Sequence, residues 1–274
     1  MHILRDLHAS TDLKTVAIAA AMDMETEPLL DLTSFEPSVD IAGQTWRVGL
    51  FEGEAGPLQL CVITTGIGLA NAASAAARAH LLFGENLSAY MCGGTTGGLG
   101  AQTSVRDVVV GTAFTYSRAD ATAFGYAPGQ VPGMPEQYFA DPALVEKART
   151  ALADEPLLSD CSATDRPENC DQSEDSSHLQ GTGQVWFGQV VSSDAFITAA
   201  NVEQMRETFP AALGADMETT AAAQVCTRAG VPFISVRAVS DLCGPAANQD
   251  FHIDGEVAAQ ISRYATENLL NYMY

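Results

Sequence analysis

Apolar runs that end in polar or glycine-rich segments recur along the chain, and they predict alternating strands and helices. The predicted strands lie near residues 15–21, 46–52, 58–64, 88–92, 184–192, 211–215 and 232–239, with a region of paired strands at 105–116. The predicted helices cover residues 70–83, 142–152, 201–209, 219–229 and 255–273. This alternation predicts an α/β fold with a single domain over residues 15–274.

Two polar segments interrupt this pattern. Residues 154–183 are rich in Ser, Asp, Asn and Glu, which predicts a surface insertion. Residues 1–14 mix charged and apolar positions and predict an N-terminal extension rather than a signal peptide. Cys161 and Cys170 share the insertion without the spacing of a zinc site, and their pairing stays open. We expect a cytoplasmic protein.

The net charge of the chain disfavours some classes of binding partner. Thirteen Lys and Arg against 34 Asp and Glu give a formal charge of −21, which disfavours binding to nucleic acid. Apolar residues make up 47% of the sequence, yet no run reaches the roughly eighteen residues that span a bilayer. We therefore expect a globular protein with neither a nucleic-acid nor a membrane partner.

Two acidic motifs follow apolar runs on either side of the predicted helix 219–229. Asp216-Met217-Glu218 ends one run, and Ser240-Asp241 ends the next. The order strand, acid, helix, strand, acid predicts two parallel strands whose acids emerge at one edge of the sheet. Open α/β sheets bind their ligands beyond that edge.

A third acid, Glu25, follows the first predicted strand at the same edge. A single acid at a strand end is often a helix cap, and Asp216 fits that interpretation. Three acids at one edge, however, indicate a site that transfers protons and stabilises a cationic transition state. These acids are Glu25, Glu218 and Asp241. Cleavage of a glycosidic bond needs both proton transfer and that stabilisation.

Neighbouring residues add to this site. Phe196 follows a strand and is either a core residue or a platform for a flat base. Arg237 lies inside an apolar strand and needs an acidic partner, for which Glu218 is the best candidate. The glycine-rich turn at residues 93–100 is either a plain turn or a ligand-binding loop, and it lacks the lysine of a phosphate-binding P-loop.

Several of these motifs, in this order, resemble one known family. They are Ala21-Met22-Asp23-Met24-Glu25, Thr65-Gly66-Ile67-Gly68, Gly94-Thr95-Thr96-Gly97-Gly98-Leu99, the block at residues 119–133, Ser192-Ser193-Asp194-Ala195-Phe196-Ile197, Asp216-Met217-Glu218 and Val236-Arg237-Ala238-Val239-Ser240-Asp241. The chain resembles the 5′-methylthioadenosine/S-adenosylhomocysteine nucleosidases of the purine nucleoside phosphorylase-like superfamily. That resemblance implies a three-layer α/β/α sandwich around a mixed, twisted β-sheet.

The resemblance also implies roles for individual residues. Asp241, supported by Ser240, would protonate the purine at N7, and Glu25 would activate the attacking water. Glu218, held by Arg237, would bind the ribose hydroxyls. The residues expected to contact substrate are Met22, Thr95, Thr96, Gly97, Phe196, Ile197, Met217, Arg237 and Ser240.

The expected reaction is hydrolysis of methylthioadenosine or adenosylhomocysteine by a homodimer, without a metal or organic cofactor. The preference between these substrates stays open, and so does a futalosine-type nucleoside. A phosphate-dependent phosphorylase and a non-catalytic nucleoside-binding protein are the other interpretations. Two positions depart from the family pattern: Asp216 stands where Glu is common, and Ser117-Arg118 stands where His-Asp is common.

Overall fold

The computed structural model describes residues 7, 9–10, 12–54, 56–153, 183–244 and 247–273. Residues 154–182 of the predicted insertion, with Cys161 and Cys170, lie outside these residues, as does most of the predicted extension at 1–14. The predictions about both segments therefore stay predictions.

Strands and helices alternate along the described chain. The strands are β1 (Thr15–Ala20), β2 (Val39–Ile41), β3 (Gln44–Gly53), β4 (Gly56–Thr64), β5 (Leu87–Cys92), β6 (Thr95–Gly98), β7 (Val108–Tyr116), β8 (Tyr138–Phe139), β9 (Val185–Ser192), β10 (Ala212–Asp216) and β11 (Phe233–Asp241). The helices are α1 (Asp23–Thr26), α2 (Leu69–Phe83), α3 (Pro142–Ala151), α4 (Val202–Thr208), α5 (Thr219–Ala229) and α6 (Ala247–Asn271). Short 3₁₀ turns cover Glu27–Leu32, Gly84–Asn86 and Thr122–Phe124.

Among the described residues, the strands form one mixed sheet of eleven, in the order β2-β3-β4-β1-β5-β11-β6-β10-β9-β7-β8. A further pairing joins β11 to β7, so β11, β6, β10, β9 and β7 close into a ring. Strands β4, β1, β5 and β11 run parallel to one another. Every position of β1 and β11 is buried, as expected for strands covered on both faces.

The helices cover the sheet in two groups. Helix α2 packs on α5 and against β1 and β5, while α6 packs along β11 with α1 and α3 beside it. Helix α3 begins at Pro142, where the Asp141 carboxylate accepts hydrogen bonds from the N–H groups of Ala143 and Leu144. The predicted α/β class, with a mixed sheet between helices, is confirmed.

The predicted direction of one strand is wrong. Strand β10 is antiparallel to β6, whereas β11 is parallel to β6, so β10 and β11 run in opposite directions. The two acidic motifs still meet because β6 lies between these strands and pairs Gly97 with both Ala215 and Asp241. The helix between the two strands is therefore not the crossover of a parallel pair.

Three further features of the secondary structure differ from the prediction. The segment at residues 105–116 contains one strand, β7, rather than a pair, and α6 starts at Ala247 rather than near residue 255. The glycine-rich turn contains strand β6. Its glycines allow close packing, since an added Cβ would lie 2.5 Å from Cys243 Sγ at Gly97 and 2.9 Å from Leu242 Cδ2 at Gly98.

Candidate active site

The acids, the arginine and the phenylalanine that the sequence indicates as functional line one cavity. It lies where β1 and β11 end and where β6 crosses between β11 and β10. All twelve residues that the sequence singled out line it. Six further residues complete the lining: Ala21, Ile67, Ala195, Ala215, Asp216 and Cys243. Asp216 belongs to one of the acidic motifs, whereas the other five are small or apolar residues without a chemical signal, so sequence reasoning gave those five no role.

Glu25 is fixed by four hydrogen-bond donors. Its Oε2 accepts from the N–H groups of Ala21 and Met22 at 3.0 and 3.1 Å, and its Oε1 accepts from the N–H and hydroxyl of Thr95, both at 2.8 Å. These donors match the roughly four acceptor positions of a carboxylate. Gly94 permits this approach, because its φ is +97° and an added Cβ would lie 2.5 Å from Glu25 Oε1.

Arg237 joins two acids in the lining of the cavity. Its Nε lies 3.0 Å from Asp216 Oδ2, and its Nη2 lies 3.4 Å from Glu218 Oε2. Nη1 donates to the carbonyl of Thr95 at 2.8 Å. The predicted pair with Glu218 is therefore present, but Asp216 is the closer partner. Asp216 also accepts from the N–H groups of Glu218 and Thr219, so it caps α5 as well.

Burial and neighbouring charges shift the pKa values of Glu218 and Arg237. Burial, helped by the charge of Asp216, raises the pKa of Glu218 to about 7, although Arg237 and the N–H of Gly68 oppose that rise. Gly68 N–H donates to Glu218 Oε1 at 3.0 Å. Burial alone would lower the pKa of Arg237, yet Asp216 and Glu218 outweigh it and raise that pKa above its ordinary value. Arg237 therefore stays charged, and Glu218 changes protonation near neutral pH.

Asp241 ends β11 with both carboxylate oxygens oriented by neighbours. Oδ1 accepts from the N–H of Cys243 at 2.9 Å, and Oδ2 accepts from the hydroxyl of Ser240 at 3.1 Å. Cys243 takes a left-handed backbone, with φ of 56°, and its N–H points back to the carboxylate. Asp241 is 3% exposed and lines the cavity, so it is placed to exchange a proton with a bound molecule.

Phe196 lines the cavity and is 48% exposed. The interpretation of Phe196 as a core residue is therefore wrong. Its carbonyl accepts from Asn201 Nδ2 at 3.3 Å, which ties the segment to the start of α4. The adjacent Ile197 is buried. An apolar ring beside polar main chain suits a flat heterocycle.

The described residues contain no group of three His, Cys, Asp or Glu side chains arranged to hold a metal ion. None of the helices formed by the described residues is long and apolar enough to cross a membrane.

Known proteins share both the sequence and the fold. Residues 15–271 match the phosphorylase superfamily. A 5′-methylthioadenosine/S-adenosylhomocysteine nucleosidase from Chromohalobacter salexigens is 32% identical over 94% of this chain and 97% of its own length. The nucleosidase of that name from Neisseria meningitidis, solved with methylthio-immucillin-A, superposes with a TM-score of 0.78 at 30% identity, over 94% of this chain and 99% of its own.

A futalosine hydrolase mutant from Helicobacter pylori has the same fold, with a TM-score of 0.78 at 21% identity, covering 94% of this chain and 98% of its own. At that identity only the fold is shared. The fold and the acidic cavity thus define a member of the phosphorylase superfamily. Within it, the chain belongs to the 5′-methylthioadenosine/S-adenosylhomocysteine nucleosidase family, whose members are N-glycosyl hydrolases.

Proposed function

We propose that this protein hydrolyses the N-glycosidic bond of 5′-methylthioadenosine, S-adenosylhomocysteine or both, releasing adenine and a 5′-thio-ribose. One observation carries the proposal: Glu25, Glu218 and Asp241 line a single cavity with the exposed ring of Phe196 on its wall. Related nucleosidases of this name match the chain over nearly its full length.

Bond cleavage begins at the base. Asp241, oriented by Ser240 and by the N–H of Cys243, gives its proton to N7 of adenine while the base lies against Phe196. The electron pair of the C1′–N9 bond leaves with the protonated base, and C1′ becomes cationic. The backbone N–H and C=O of Ile197 read the edge of adenine. This acid assistance typically contributes a factor of about 10²–10⁴ to the rate.

The sugar side stabilises that cation and completes the reaction. Ionised Glu218 accepts hydrogen bonds from the ribose hydroxyls, and Met217 packs against the ring. Water attacks C1′ and passes its proton to Glu25, so the new C1′–O bond replaces the C1′–N9 bond. The Thr95 hydroxyl is the one Glu25 donor that can rotate away, and water takes its place. Thr96, Gly97 and Met22 enclose the substrate.

Phosphorolysis is the main alternative, and the surroundings of Glu25 argue against it. Phosphate needs cationic side chains or a set of free N–H groups. Here three N–H groups and the Thr95 hydroxyl already donate to the carboxylate of Glu25, and Arg237 is committed to Asp216 and Glu218.

The proposal is tested by measuring adenine release from methylthioadenosine, adenosylhomocysteine and futalosine, each with and without phosphate. We expect phosphate-independent release from at least one of the first two. Asp241→Asn should lower turnover by roughly 10²–10⁴. Asp107→Asn is the matched control, because Asp107 is a buried aspartate outside the cavity lining. Near-normal release by Asp241→Asn, or formation of a ribose 1-phosphate, contradicts the proposal. A homodimer and a cytoplasmic location stay predictions.

A further inference from the structure

Helix α2 begins at the edge of the cavity without a capping side chain of its own. Gly68 occupies its N-cap position, and the first turn holds no acidic residue. The first N–H groups of a helix need acceptors, and a carboxylate there also interacts favourably with the helix dipole. Sequence-distant residues supply these acceptors.

Two carboxylates from different elements bind consecutive N–H groups at this helix start. Glu218 Oε1 accepts from Gly68 N–H at 3.0 Å, and Asp194 Oδ1 accepts from Leu69 N–H at 2.8 Å. Glycine at position 68 makes room for this arrangement, since an added Cβ would lie 3.0 Å from Asp194 Oδ1. One helix end therefore anchors the cavity's sugar-side carboxylate and a second, exposed acid.

Asp194 belongs to the segment that carries Phe196. C-terminal to Phe196, Asn201 holds the segment through its bonds to the Phe196 carbonyl and the Thr198 N–H. N-terminal to Phe196, Ser193 N–H donates to the carbonyl of Asp216 at 3.1 Å. The bond from Leu69 N–H to Asp194 is the tie that connects this segment to α2.

We propose that Asp194 is a positioning residue for the base subsite. It fixes the Phe196 segment to the start of α2, where Gly68 also holds Glu218. The Phe196 ring that packs on the base and the Glu218 carboxylate that binds the sugar are thereby both held by the start of α2. This inference rests on the proposed function in one respect, namely that Phe196 contacts the base.

The test compares Asp194→Ala, Asp194→Asn and Asp141→Ala. Asparagine caps helices as well as aspartate does, so Asp194→Asn keeps the hydrogen bond and removes only the charge. Asp141→Ala is the matched control, because Asp141 caps α3 by the same chemistry outside the cavity lining. The readouts are KM and kcat for adenine release, the Kd of free adenine by titration calorimetry, and stability to urea.

We expect Asp194→Ala to raise KM and the Kd of adenine together by roughly 5- to 20-fold, the scale of losing one helix cap, with kcat changed less than about threefold. Asp194→Asn should stay within about twofold of the wild type. Asp141→Ala should lose stability with KM and Kd unchanged.

Two outcomes overturn the inference. In the first, Asp194→Ala loses stability as Asp141→Ala does but keeps KM and the adenine Kd, which makes Asp194 a cap alone. In the second, Asp194→Asn loses as much affinity as Asp194→Ala. Failure of the proposed function is distinguishable from both, because the wild type would then release no adenine, whereas the adenine Kd is measured without turnover.

Discussion

The buried carboxyl of Glu218 should make the stability of this protein depend on pH in a specific direction. Glu218 is 6% exposed, and burial is the main reason that its pKa rises to about 7 in the folded protein. A folded pKa above the unfolded value means that the folded state holds a proton that the unfolded state has lost. The stability from this group is therefore fully present below the unfolded pKa and is lost as pH rises through about 7.

The size of this effect follows from the two pKa values. Each pH unit between the unfolded and folded pKa is worth about 1.4 kcal/mol. An ordinary glutamate titrates near 4.3, so the contribution lost between acidic pH and pH 8 is about 3 kcal/mol. That is a large part of the roughly 5–15 kcal/mol that stabilises a typical domain.

Replacing Glu218 by Gln removes the titration and isolates its contribution. Free energies of unfolding are measured in urea for both proteins at several pH values from 4 to 8. Other titrating groups largely cancel in the difference between the two proteins. We expect that difference to shift by about 3 kcal/mol in favour of Glu218→Gln as pH rises. Glu146→Gln, on the exposed surface of α3, is the control and should give a flat difference.

A shift of less than about 1 kcal/mol between pH 4 and 8 would refute this reasoning. So would a shift in the opposite direction, which would mean that Arg237 and the N–H of Gly68 outweigh burial and Asp216. Either result would mean that Glu218 is ionised in the folded protein at neutral pH.

Two further predictions concern the neighbours of Glu25 and Asp241. Gly94→Ala should lower turnover by at least about tenfold, because its Cβ would lie 2.5 Å from Glu25 Oε1. Gly43→Ala, also at positive φ but with open space around the Cβ, should leave turnover unchanged; equal losses would contradict the argument. Burial and the charge of Asp241 raise the pKa of Cys243 to about 12, so iodoacetamide at pH 8 should modify it only after unfolding, as mass mapping can check.

The sequence predicted which residues share the cavity better than it predicted the directions of the strands. Strand ends were readable because β1 and β11 are buried on both faces and therefore appear as continuous apolar runs. Acids that follow such runs fall at one edge, so the sequence predicts that Glu25 and Asp241 lie at the same site. Their relation to one particular reaction came from the resemblance to a known family, since spacing alone does not say which bond breaks.

The direction of β10 was not readable, and β6 is the reason. Residues 95–98 form a strand of four positions, two of them glycine, so they carry no alternating pattern. Yet this strand decides how β10 lies relative to β11, because it pairs with both. The sequences of strands as short as β6 and β10 do not indicate whether a pairing is parallel or antiparallel. The rank of Asp216 over Glu218 as the partner of Arg237 is equally invisible in sequence, since both acids lie within three residues.

The cavity keeps four buried acids near one another by giving each a different set of partners. Glu25 uses main-chain N–H groups and the Thr95 hydroxyl, Asp241 uses Ser240 and Cys243 N–H, and Arg237 is shared by Asp216 and Glu218. Burial, together with the charge of Asp216, raises the pKa of Glu218 even though Arg237 opposes that rise. The remaining negative charge favours a cationic sugar over a neutral one. The same imbalance that costs stability near neutral pH therefore stabilises the transition state of glycosidic cleavage.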